Sequence, residues 1–169
     1  LEGLARRIQV TLNTVVEGAW ALLLERYGAP SPVVFGSVTS GRPPELAGAD
    51  AMVGLFVNTL PVVVPGPRDE AGAPWLQRLQ ERQAEARRHE HAPLAAVQKW
   101  SPLAANRPLF ESVLSFQNAP VDRALGEQEM VLRVRDFEVW EDAGFPLILV
   151  VIPGPRLRQA HPSPPGRRP

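Results

Sequence analysis

Met52-Val53-Gly54-Leu55-Phe56-Val57-Asn58-Thr59-Leu60-Pro61 sets an amide and a hydroxyl inside an otherwise apolar run, and the reading of the whole chain turns on it. The run lies between a polar loop that follows Ser40-Gly41-Arg42-Pro43-Pro44 and a turn at Pro65-Gly66-Pro67. Proline removes backbone donors and glycine frees the backbone, so both flanks interrupt regular structure. Residues 52–57 and 60–64 are expected to be extended. A buried Asn must find partners or cost roughly 1–3 kcal/mol for each unmet group. Asn58 therefore has two readings. Satisfied by backbone it is structural; directed into a cavity it holds a substrate amide or carbonyl.

Outward from this stretch the pattern moves between helix and strand. Residues 14–27 read as a helix, with Thr14 and Glu17 fitting a capping box and Gly28 with Pro30 ending it. Val16, Ala19, Trp20, Leu23 and Tyr27 recur at helical spacing as its apolar face. Residues 33–39 are rich in β-branched side chains and read as a strand interrupted at Gly36. Pro74 opens a second helix reaching residue 89, with a narrow stripe of Trp75, Leu76, Leu79 and Ala86; a short helix at 93–100 follows. Strand-like runs come next at 110–116, 130–136 and 146–152. The last is apolar on both faces, as in a strand inside a sheet. The expected fold class is α/β, a two-layer sandwich of a mixed β-sheet with helices on one face. The domain is expected to span 1–152. Residues 153–169, rich in Pro and Arg, bury too little apolar surface to offset their ordering entropy and are expected to be disordered.

The chain has 169 residues, enough for one compact domain and short for two. Its 18 Lys and Arg balance 18 Asp and Glu, so the clustered basic excess that favours nucleic acid or acidic membranes is missing. Without Cys there is no disulfide scaffold, Cys-ligated zinc or thiol nucleophile. The longest apolar run, 147–152, is far below the roughly 20 residues of a membrane span. Residues 1–10 do not show a signal peptide pattern. A cytoplasmic location is the expectation.

Chemistry-bearing patterns are few. His89-Glu90-His91 is the histidine cluster, but i and i+2 positions do not share a helix face, and the HExxH spacing is missing, so no metal is expected. No nucleophile elbow, phosphate-binding loop or dinucleotide fingerprint occurs. Trp20, Trp75, Trp100 and Trp140 are scattered and read as core residues.

At Gly54-Leu55-Phe56-Val57-Asn58-Thr59 the sequence resembles the G-x-F-V-N-T motif of the condensation domains of nonribosomal peptide synthetases. Further stretches agree in order: Gly18 with Ala19-Trp20-Ala21-Leu22-Leu23-Leu24, Phe35-Gly36 with Ser40-Gly41-Arg42-Pro43, Glu90-His91-Ala92-Pro93-Leu94, and Asn106-Arg107-Pro108-Leu109-Phe110 with Phe116-Gln117-Asn118-Ala119-Pro120. Asn106-Arg107 reverses the order usual in the family. The likeness runs from Gln9 to Leu157.

The resemblance implies one of two chloramphenicol-acetyltransferase-like lobes, which in the family flank a reaction tunnel. The reaction joins an aminoacyl or peptidyl thioester on one carrier protein to the amine of an aminoacyl thioester on the next. The family's H-H-x-x-x-D-G motif belongs to the first lobe, and none of His89, His91 and His161 begins that pattern, so the match is to the second lobe. By resemblance Gly54, Phe56, Val57, Asn58 and Thr59 line the tunnel, with Asn58 the polar contact to substrate or pantetheine. Ser40, Gly41, Arg42, His91 and Arg107 are lobe-contact or structural positions. No catalytic residue is expected within this chain. Substrates would arrive on carrier-protein phosphopantetheine, no cofactor would be bound directly, and the partners would be a carrier protein and the first lobe, in antibiotic or other secondary metabolite synthesis. Two alternatives stay open: a non-catalytic module that docks a carrier or separate first lobe, and an acetyltransferase-like enzyme whose site forms between subunits with His89 or His91.

Overall fold

Thr11, rather than Thr14, caps the long N-terminal helix: its Oγ1 accepts from the Thr14 backbone N–H at 3.1 Å. Thr14 thus enters the first turn, and Glu17 is freed for a buried role in place of the expected capping box. The computed structural model describes residues 1–42, 46–67, 70–102, 107–117 and 144–153. The expected strand at 130–136, Trp140 and the tail from residue 154 lie outside them.

The elements are α1 (Glu2–Arg7), α2 (Leu12–Arg26), β1 (Val33–Thr39), β2 (Asn58–Val64), α3 (Gly72–Arg87), α4 (Leu94–Trp100), β3 (Ser112–Phe116) and β4 (Leu147–Val151). Helix α1 was not legible in the sequence; it is short, and Gln77 and Gln80 of α3 donate to the Ile8 and Gln9 carbonyls just beyond it. Residues 52–57 form a loop instead of the expected extended segment, and β2 starts only at Asn58.

The sheet order is β2-β1-β3-β4, with β2 antiparallel to β1 and the other pairs parallel. It is therefore mixed, as expected. Pro61 fits in β2 because that strand has β1 on one side alone among the described residues, so its missing donor costs no ladder bond. Strand β4, expected inside the sheet, has only β3 beside it among the described residues, and Leu147 stays 43% exposed.

Val33, Phe35 and Ser37 alternate onto the face of β1 that meets α2, while Val34, Gly36 and Val38 face the other way. The core joins Val33, Phe35, Val64 and Leu114 of the sheet to Val15, Trp20 and Ala21 of α2 and Trp75, Leu76 and Leu79 of α3. The α3 stripe matches expectation at Trp75, Leu76 and Leu79, while Gln83 and not Ala86 is its fourth buried position. The α2 face matches only at Trp20: Thr14, Val15, Glu17, Gly18 and Ala21 are buried with it, while Leu23 and Tyr27 are exposed. Small residues win that face because α3 comes too close for larger ones. A Cβ on Gly18 would lie 2.5 Å from Leu76 Cδ2 and 3.1 Å from Trp75 Cζ3. Trp75 is itself held by its indole N–H, which donates to the Pro65 carbonyl at 2.8 Å. Val16, Ala19 and Leu23 of the expected stripe instead line a shallow apolar groove of about 200 Å³ with Leu149 and the edge of Trp20. Trp100, expected in the core, is 73% exposed at the end of α4.

Between α2, α3 and β1 lies a buried polar junction. Glu17 Oε1 accepts from Ser37 Oγ at 2.8 Å and from Asn13 Nδ2 at 3.0 Å, and Oε2 accepts from Gln83 Nε2. Gln83 Oε1 in turn accepts from Thr14 Oγ1 at 3.1 Å. Burial pushes the Glu17 carboxyl above its ordinary value, against the pull of the Ser37 and Asn13 hydrogen bonds and the Arg87 charge.

On the opposite face Phe110 covers Gly36 and stacks on Phe145 with ring centroids 5.4 Å apart. A Cβ at residue 36 would sit 2.5 Å from Phe110 Cε2 and 2.8 Å from Thr59 Cγ2. Gly36→Ala is expected to cost about 1–3 kcal/mol in urea denaturation by overpacking. Adding Phe110→Leu should make the pair less harmful than the sum of the two single changes; strict additivity would show that the contact does not matter.

Candidate functional site

Three of the motifs singled out in the sequence meet at the end of β1 and the start of β2, where Thr39 pairs with Asn58. Gly41 follows β1 with φ 61°, and a Cβ there would overlap the Phe56 carbonyl oxygen. Glycine is required on both counts. Arg42 then lies over the Phe56 ring, 4.4 Å from its centroid, and donates to the carbonyls of Ala49 and of Met52, the latter at 3.2 Å. Its guanidinium thus closes the β1–β2 connection into a loop with a fixed neck.

The neck sets what the loop displays. Val53 is fully exposed, Leu55 is 94% exposed and Val57 58%, while Phe56 is half-buried beneath Arg42. Gly54 places the chain against the Phe56 ring, its Cβ position 3.5 Å from Cε2. Such a set of bare aliphatic side chains is unusual on a surface meant only for water.

The Asn58 side chain bonds to backbone at both ends of its amide. Its Nδ2 donates to the carbonyls of Glu90 at 2.7 Å and Ala92 at 2.8 Å, and its Oδ1 accepts from the Thr59 N–H at 2.9 Å. Both side-chain amide hydrogens are taken up by these carbonyls, so the Asn58 amide acts as a backbone clamp. The clamp grips the turn after α3 on either side of His91, which is exposed. Thr59 points its methyl toward Gly36 on the other face of the sheet. Ser40 is exposed beside the neck. Arg107 is apart from this cluster: its carbonyl accepts from Gln98 Nε2 of α4 at 2.7 Å, and it is exposed. Among the described residues no three His, Cys, Asp or Glu gather where a metal ion would sit, and no helix is long and apolar enough to cross a membrane.

The sequence reading missed the buried partners of Glu17, namely Ser37 and Gln83. The available signal was weak: Glu17 has Trp20 and Ala21, and Gln83 has Leu79 and Ala86, among the neighbours three and four residues away on its helix.

A two-layer lobe whose motif-bearing loops cluster at one end of a mixed sheet is the architecture of condensation domains. The chain belongs to that family: the condensation domain family model matches residues 1–152. Its relatives are nonribosomal peptide synthetases. It is 44% identical over 157 residues to a linear gramicidin synthase protein of Brevibacillus parabrevis, covering 93% of this chain and 2% of that protein. It is 40% identical over 154 residues to chondramide synthase cmdD of Chondromyces crocatus, covering 91% and 4%. Among solved structures, the X-domain from teicoplanin biosynthesis aligns with a TM-score of 0.58 and 26% identity, over 69% of this chain and 26% of that one. The fold of holo T3CT matches with a TM-score of 0.67 at 23% identity, over 87% and 34%. The chain thus spans a small part of the relatives it matches and about a third of the T3CT chain. Condensation domains act with carrier-protein domains, on substrates held as phosphopantetheine thioesters.

Asn58→Ala should orphan the Glu90 and Ala92 carbonyls and cost about 1–3 kcal/mol in chemical denaturation, with faster amide exchange in residues 88–93 as its local signature. Unchanged exchange there would show that the turn does not need the clamp.

Proposed function

We propose that this chain forms the second-lobe wall of a condensation-domain tunnel and works only with a lobe carrying the H-H-x-x-x-D-G motif. The observation that supports this most is the loop held by Arg42 and Gly41, which exposes Val53, Leu55 and Val57 beside the Asn58 clamp. In the reaction the amine of one aminoacyl thioester attacks the carbonyl carbon of the other. The C–N bond forms, the C–S bond breaks, and the amine's proton ends on the departing carrier thiol.

This chain's contribution is shape and dryness. Val53, Leu55 and Val57 keep water from the thioester, while Gly54 and Phe56 set the height of the wall and Thr59 continues it into β2. Holding two tethered substrates in contact supplies a large share of such a rate, and a positioned base on the other lobe contributes roughly 10²–10⁴-fold. Arg42 and Asn58 are positioning residues, since their polar groups are taken up by backbone carbonyls. Ser40 and His91 flank the wall, where they meet the other lobe or the carrier. A docking module without chemistry is the second reading, favoured by the same exposed aliphatic loop.

Mass spectrometry of carrier-bound product separates these readings. With two loaded carriers, the chain alone should form no dipeptidyl thioester, and adding a first lobe from a related synthetase should restore it. Val53→Asp with Leu55→Asp should lower the restored rate by about tenfold or more while far-UV circular dichroism is unchanged. Product from the chain alone would overturn the proposal. Binding of the first lobe without any product would favour the docking module.

A further inference from the structure

We infer that Glu17 operates a two-state hydrogen-bond relay, in which uptake of one proton re-orders the contacts by which α2 and α3 hold β1. The relay runs from Thr11 through Thr14 and Gln83 to Glu17, and every link in it is reversible. A hydroxyl donates or accepts equally well, and a carboxamide exchanges its donor and acceptor ends by half a turn.

With Glu17 ionised, the Thr14 hydroxyl donates to Gln83 Oε1 at 3.1 Å, Gln83 Nε2 donates to Glu17 Oε2, and Thr11 Oγ1 lies 2.8 Å from Thr14 Oγ1. A proton on Oε2 would face the N–H of Gln83, donor against donor. Half a turn of the amide removes the conflict. The Glu17 O–H then donates to Gln83 Oε1, Gln83 Nε2 donates to Thr14 Oγ1, and the Thr14 hydroxyl turns to Thr11 Oγ1. One proton enters from solvent, no covalent bond other than its O–H changes, the buried donors keep their acceptors, and the Thr11 hydroxyl, at the exposed end of the relay, turns its own proton to solvent. Ser37 Oγ and Asn13 Nδ2 donate to Oε1 in both states. Gln80 Oε1 stands by as a second, longer acceptor for Thr14 at 3.4 Å.

The groups that face the carboxyl set the direction. From α3 come Gln83 and the charge of Arg87, from β1 Ser37, and from α2 itself Asn13. Arg87, Ser37 and Asn13 favour the ionised form; burial opposes them and prevails, so the folded carboxyl titrates above 4.5. A carboxyl whose folded value is raised binds its proton more readily in the folded chain than in the unfolded one. Its contribution is therefore full below 4.5 and is lost as pH rises through the folded value.

Two measurements on the full chain test the relay. In carbon-13 NMR the Glu17 side-chain carboxyl should titrate above 4.5, and the Gln83 side-chain amide signals should shift with the same midpoint. Ser37→Ala should move that midpoint further up, because it removes a hydrogen bond that is stronger to the ionised carboxylate than to the protonated acid. In urea denaturation at pH values rising from 4.5 through the folded midpoint, the wild type should lose stability relative to Glu17→Gln, the ratio of their folding constants changing by up to about tenfold per pH unit within that window. A Glu17 midpoint at or below 4.5, or Gln83 signals that stay still while Glu17 titrates, would overturn it. If Glu17→Gln does not fold, the wild-type titration decides alone.

Discussion

A carboxylate enclosed between two helices and a sheet constrains everything around it. Glu17 is 1% exposed, and a buried carboxyl without partners would cost several kcal/mol. Ser37 can serve it only if β1 lies directly beneath α2, Gln83 only if α3 lies against the same turn, and Asn13 only if α2 begins at Thr11. The junction therefore fixes the rotation of α2, which explains why its buried face is Thr14, Glu17, Gly18 and Ala21. Gly18 and Ala21 then admit the Trp75 and Leu76 side chains, and the apolar core closes on the remaining side of the sheet strands.

The loop cluster at the other end of β1 follows from the register that this packing sets. Ser37 opposite Leu60 brings Thr39 opposite Asn58, and the chain leaves β1 through Gly41 directly onto the Phe56 backbone. Arg42 and the Asn58 side-chain N–H groups then donate to carbonyls of neighbouring segments and act as fasteners. What they fasten is a loop of exposed aliphatic side chains and a turn that carries His91. The proposed tunnel wall would need this combination, since it has to keep two tethered substrates in a dry space without moving as they do.

Much of the fold was legible in the residues. The bounds of β1 follow from its β-branched run, the α3 stripe of Trp75, Leu76 and Leu79 is the buried one, and the mixed sheet follows from the order of elements. Local patterns carry such information because strand and helix periods report which side chains share a face. The same patterns mislead at α2, where Val16, Ala19 and Leu23 outweigh Glu17 on any hydrophobicity count. They mislead at residues 52–57 as well, where apolar composition comes from surface display instead of an extended strand.

The sequence by itself determined the family and the kinds of element, because motif residues and periodicity are properties of neighbours along the chain. The tertiary structure decided which backbone groups the Asn58 amide meets, which side chains of α2 are buried, and that Arg42 works as a fastener. Those outcomes depend on distant partners: the carbonyls that take up Asn58 lie 32 and 34 residues away, and Gln83 lies 66 residues from Glu17. A polar side chain is structural or functional according to what it meets, and that is known only once the backbone has brought those partners within hydrogen-bond reach.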